Sequence, residues 1–126
     1  MERTSSPEGI QKTILVVDDD PGILSSVSRL LAKSNYEVLT ANSGNAALQL
    51  SRNYEREIHL LLSDFQMPGM SGIDLATELT SDRPGLKVLM MSGFPGGMLI
   101  LNEGWHFLAK PFIPSQLRAL IGGLIA

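Results

Sequence analysis

The chain has no cysteine among its 126 residues. That excludes a disulfide framework, a thiolate nucleophile and a thiolate-based metal site. It has no excess of basic residues: 10 Lys and Arg stand against 13 Asp and Glu, for a net charge of -3. The electrostatic footprint of a nucleic-acid-binding domain is therefore missing. No apolar run approaches the roughly 18 residues of a membrane span. The opening "MERTSSPEGIQK" lacks the apolar core of a secretory signal. Internal repeats, low-complexity tracts and a linker to a second domain are absent too. What remains is 44% hydrophobic and 18% charged residues, the balance of one ordinary globular domain with a core of its own. Residues 1–11 are expected as a flexible polar leader and 12–126 as a single domain. The expected compartment is the cytoplasm.

Strand and helix signals alternate along the chain. "TILVV" (13–17), "YEVLT" (36–40), "IHLLLS" (58–63), "KVLMMS" (87–92) and "WHFLA" (105–109) read as strands. Unbroken apolar runs of this length suit strands buried on both faces, as in a parallel sheet. Asp20 before Pro21 reads as the cap of a first helix running to about Ser34. Ser43 opens a second helix, Ser71 a third, and a last helix starts near Pro114. Gly122 and Gly123 weaken its end by about 1 kcal/mol each. Only a short helical or irregular piece fits between the fourth and fifth strands. Five strands separated by helices predict an α/β domain with a doubly wound parallel sheet.

In such sheets, sites lie beyond the carboxyl ends of the strands. Asp18, Asp19 and Asp20 follow strand one, Asp64 follows strand three, Ser92 ends strand four and Lys110 follows strand five. Clustered carboxylates repel and need a partner. A hard cation such as Mg²⁺ takes oxygen ligands and meets that need. Asp64 is then placed to act as a nucleophile toward phosphorus, with Lys110, the Ser92 hydroxyl and loop N–H groups stabilising phosphoryl oxygens. Gly93 leaves room beside Ser92. Asp20 is assigned to helix capping, and His59 and His106 to packing or surface roles.

The stretches "ILVVDDD", "LLLSDFQMPGMSG", "KVLMMSG" and "FLAKPF" together resemble the receiver domain of two-component response regulators. The resemblance covers about residues 12–122. It implies the five-stranded flavodoxin-like fold of order 2-1-3-4-5 and a phosphorylation switch that is not a turnover enzyme. It implies Asp64 as phosphoacceptor and a Mg²⁺ site from Asp18, Asp19, Asp64 and the Gln66 backbone carbonyl. Asp19 would be a direct ligand and Asp18 would act largely through water. Ser92, Gly93 and Lys110 match the phosphoryl-binding positions, and Phe107 the aromatic switch position. The Lys110–Pro111 bond is expected to be cis. The implied phosphodonor is a sensor histidine kinase or a phosphotransfer protein, with an output partner that the sequence does not identify and no membrane or nucleic-acid partner.

The wording "MSGF" and "LAKPF" is similar to receivers of hybrid histidine kinases. Only 14 residues separate Ser92 from Phe107, so the family's fourth helix is expected to be short. Gly69 and Gly72 are expected to lend backbone freedom to the loop after Asp64. Two other readings compete. One is a receiver-like binding module that works without phosphorylation. The other is a haloacid dehalogenase-type phosphatase, whose nucleophile would be Asp18.

Overall fold

The computed structural model describes residues 11–93 and 105–125. Five parallel strands form one sheet of order β2-β1-β3-β4-β5. They are β1 (Thr13–Val17), β2 (Glu37–Ala41), β3 (Leu60–Asp64), β4 (Lys87–Ser92) and β5 (Trp105–Ala109). Four helices are described: α1 (Pro21–Lys33), α2 (Gly44–Asn53), α3 (Gly72–Asp82) and α4 (Pro114–Ile125). The sheet order is the one expected. The short piece expected between β4 and β5 lies outside the described residues.

The alternation of a strand sends successive side chains to opposite faces. Leu15, Val17, Leu61, Val88 and Met90 pack on one face against Ala47 and Leu48 of α2 and Leu75, Ala76 and Leu79 of α3. Ile14, Val16, Leu60, Leu62, Leu89 and Met91 pack on the other against Val27 and Leu31 of α1 and Leu117 and Ile121 of α4. Both faces are therefore dry, which is why β1, β3 and β4 read as continuous apolar runs. Most of these side chains are fully buried.

The capping residues act as their sequence positions suggest. Asp20 Oδ1 accepts from the N–H groups of Gly22 at 2.8 Å and Ile23 at 3.3 Å. Ser43 accepts from Ala46 N–H and Ser71 from Asp74 N–H, each at 3.1 Å. Each bond satisfies one N–H that the first helical turn cannot.

Strand boundaries shift by one or two residues from the sequence reading: β2 spans Glu37–Ala41 instead of 36–40, and β3 ends at Asp64 instead of 63. The ladder of β3 begins at Leu60, two residues later than expected, and just before it the His59 imidazole accepts the Thr13 N–H. The helix α4 runs through Gly122 and Gly123 to Ile125. Leu117, Ile121 and Ile125 recur at four-residue spacing and are buried. Burying such side chains is worth about 1.5–3 kcal/mol each, which outweighs the helix-propensity loss of two glycines.

Candidate functional site

The register of the parallel strands sets which residues meet at the carboxyl edge. Val17 pairs with Ser63, Asp64 with Met91, and Ser92 with Ala109. Asp18 thus leaves β1 level with Asp64 at the end of β3, while Ser92 and Lys110 stand one and two residues further along on β4 and after β5. One oxygen from each of Asp18, Asp19 and Asp64 lies within 4.8 Å of the others. Asp18 is 1% exposed, Asp64 retains 13% of its side-chain surface, and Asp19 is exposed.

Lys110 reaches back into this cluster. Its Nζ donates to Asp18 Oδ2 at 3.1 Å and to Asp64 Oδ1 at 3.3 Å. Its backbone N–H donates to the Ser92 carbonyl at 2.6 Å, and the following Lys110–Pro111 bond is cis. Asp18 Oδ1 accepts the Asp20 N–H at 2.9 Å. Asp18 is therefore held from two sides, while Asp20 turns its own carboxylate to the α1 cap.

One ammonium does not balance three carboxylates. Burial, and next the charge of Asp18, push the Asp64 carboxyl above the ordinary aspartate value, although Lys110 pulls the other way. Burial alone would lower the Lys110 ammonium. Its hydrogen bond and charge pairing with Asp18, and then with Asp64, outweigh burial and raise it. The cluster keeps a negative surplus made of hard oxygen donors. That donor set fits a hard divalent cation such as Mg²⁺.

The loop after Asp64 is built on close contacts. Phe65 N–H donates to the Met91 carbonyl at 2.7 Å, and Gly72 N–H to the Phe65 carbonyl at 2.9 Å. A Cβ at Gly72 would fall on the carbonyl oxygen of Asp64. Gly72 is thus needed for close approach and not for the freedom expected of it. Gly69 does need that freedom, with φ of 80°. Met70 seats its side chain over Gly44 at the start of α2, where a Cβ would come within 2.8 Å of it.

The remaining expected positions sit around the cluster. Ser92 is 2% exposed. Gln66 is exposed two residues beyond Asp64, and no atom of the described residues would meet a Cβ at Gly93. Phe107 is half-buried in the middle of β5, pairs in register with Met90 and packs on the core. It does not join the carboxylate cluster. Sequence reasoning did not reveal a cleft of about 750 Å³ beside Lys110, walled by Ile23, Ser26 and Val27 of α1 and by Pro111 and Phe112. Its helical wall is formed by residues inside α1, none of which stands where an apolar run stops.

No helix among the described residues is long and apolar enough to cross a membrane. The family model of the response regulator receiver domain matches residues 14–122. The probable transcriptional regulatory protein TcrX of Mycobacterium tuberculosis is 35% identical, over 90% of this chain and 51% of its own. The receiver domain of the hybrid histidine kinase CckA superposes with a TM-score of 0.81 at 31% identity, covering 90% of this chain and 99% of that one. The response regulator TrrA of Thermotoga maritima, solved in complex with Mg²⁺ and BeF, superposes with a TM-score of 0.80 at 28% identity, over 90% and 99%. The chain spans about half the length of TcrX and about a fifth of several other curated relatives. The fold, the strand-end chemistry and these likenesses agree: the chain belongs to the response regulator receiver domains of two-component signalling.

Proposed function

We propose that this domain accepts a phosphoryl group on Asp64 from a phosphohistidine and switches conformation to signal to a partner. The observation that carries this reading is the asymmetry of the carboxylates. Asp64 keeps part of its side chain open to solvent, while Asp18 is almost wholly buried with both oxygens engaged. An incoming phosphorus can reach the first and not the second. The same observation argues against Asp18 as a phosphatase nucleophile.

In the proposed step an Asp64 carboxylate oxygen bonds to phosphorus and the P–N bond to the imidazole breaks. The electron pair stays on the leaving nitrogen. Water later attacks the phosphorus, restoring the carboxylate and releasing inorganic phosphate. Asp18, Asp19, Asp64 and the Gln66 carbonyl would hold Mg²⁺, which supplies charge neutralisation for the phosphoryl oxygens. The negative surplus around Asp64 and the Mg²⁺–BeF complex of TrrA support that assignment. Lys110 contributes a cation already 3.3 Å from Asp64. Ser92 contributes a hydroxyl one residue beyond Met91, the register partner of Asp64, and among the described residues no atom lies within 4 Å of where a Cβ at Gly93 would stand. Phe107 would couple to Ser92 by packing, since it has no hydroxyl of its own.

Such a domain would shift between two conformations on phosphorylation rather than turn over a substrate. The donor would be a histidine kinase or a phosphotransfer protein. A small phosphoramidate, which carries the same P–N bond, tests the reading. With Mg²⁺ present, intact mass should show one added phosphoryl group on the wild type and none on Asp64→Asn. An unmodified wild type would leave a binding module that works without phosphorylation.

A further inference from the structure

His59 stands at the end of the sheet opposite the carboxylates and plays no part in the proposed chemistry. Its backbone N–H donates to the Thr13 carbonyl at 2.8 Å, and the Thr13 N–H donates to its imidazole Nδ1 at 3.0 Å. The Lys87 N–H donates to the His59 carbonyl at 3.1 Å. The imidazole is 14% exposed, and Thr13 is 4% exposed. A nitrogen that accepts a hydrogen bond carries no proton, so the neutral ring bears its proton on Nε2. That nitrogen lies 3.4 Å from a carboxylate oxygen of Glu57.

We propose that His59 is a proton-operated latch that fastens the start of β1 to the start of β3 only while its imidazole is neutral. Protonation places a hydrogen on Nδ1, directly facing the Thr13 N–H. Two donors then oppose each other, and the bond is lost. The imidazolium is retained instead by Glu57. The charged groups around the ring come from each neighbouring segment: Glu57 ahead of β3, Lys12 ahead of β1 and Lys87 at the start of β4. Among the described residues, α4 presents Leu124 and Ile125 to this cleft. Opening the latch takes the imidazole acceptor away from the buried Thr13 N–H, so the start of the ladder loosens as pH falls.

The latch lies five residues ahead of Asp64, immediately before β3, and does not depend on the phosphoacceptor reading. Its test uses the full chain labelled with nitrogen-15. The imidazole nitrogens report the tautomer and the titration of His59, and hydrogen exchange reports the Thr13 amide. The expected result is a proton on Nε2 at high pH. Thr13 protection, corrected for intrinsic exchange, should fall about tenfold as His59 protonates, the ratio an ordinary hydrogen bond supports. In His59→Asn the side-chain oxygen can accept the same N–H without titrating, so protection should stay level. A proton on Nδ1 would overturn the proposal. So would Thr13 protection that ignores the His59 titration, a His59 that does not titrate, or a His59→Asn chain that keeps the wild-type pH dependence. The first three readouts need only the wild type, so a variant that fails to fold leaves the proposal open to refutation.

Discussion

The Lys110 ammonium lies 3.3 Å from Asp64 and shares itself with Asp18 at 3.1 Å. One cation thus spans two carboxylates that would otherwise repel. Replacing it by an uncharged chain of similar length leaves that repulsion uncompensated. Lys110→Met should lower the stability of the metal-free domain by about 2 kcal/mol, below the range for a fully buried pair because part of the side chain is exposed. Added Mg²⁺ should recover more stability in the variant than in the wild type. Urea unfolding with chelator and with Mg²⁺ measures both.

The raised Asp64 carboxyl has a signed consequence for pH. Burial, then the charge of Asp18, make the folded chain hold this proton more tightly than the unfolded chain does. The stabilisation from that proton is complete below the ordinary aspartate value and is lost as pH rises through the raised one. Above that window the ionised Asp64 weighs against folding. Metal-free Asp64→Asn should therefore be more stable than the wild type at neutral pH. Its advantage should shrink as pH falls through the window. Thermal unfolding of both chains in chelator, from acidic to neutral pH, checks the sign.

Glycines divide by what surrounds them. Gly72→Ala drives a Cβ into the Asp64 carbonyl and should cost about 3 kcal/mol. Gly69 has open space but a φ of 80°, so Gly69→Ala should cost about 1 kcal/mol from backbone strain alone. Gly123 lies exposed within α4 with nothing near its Cβ, so Gly123→Ala should add about 0.5–1 kcal/mol. The rank order of urea midpoints tests all three.

The carboxylate cluster was legible because each member stands where an apolar run stops, a signal local in sequence. "TILVV" ends at Asp18, and "LLLS" ends at Asp64. Caps at Asp20, Ser43 and Ser71 were local as well. What the sequence concealed is non-local. The contact of Gly72 with the Asp64 carbonyl arises only when α3 folds onto β3, and the bond from Thr13 to His59 joins residues 46 apart. The persistence of α4 past two glycines is decided by the packing of Ile121 and Ile125, not by helix propensity. Phe107 could be matched by resemblance, yet its packing against the core depends on the register with Met90.

Arg83 was equally silent in the sequence, although it clamps two helices together. Its guanidinium donates to Ser51 Oγ at 2.8 Å and to the carbonyls of Ser51, Tyr54 and Arg56 at 2.8–3.0 Å. These carbonyls lie at and beyond the end of α2, where helix geometry leaves acceptors unpaired. Arg83→Met should lower stability by about 2 kcal/mol. Arg83→Lys should recover less than half of that, since a single ammonium cannot reproduce the planar fork. Urea denaturation of the three chains provides the comparison.

The central claim is that the phosphoryl group resides on the Asp64 carboxylate, and chemical trapping tests it most directly. The domain would be incubated with acetyl phosphate and Mg²⁺ and then reduced with borohydride, which converts an aspartyl phosphate to homoserine. Peptide mass mapping should find homoserine at position 64 alone, and none when Mg²⁺ is withheld. Homoserine at position 18, or no homoserine in a chain that keeps its fold and binds Mg²⁺, would contradict the account.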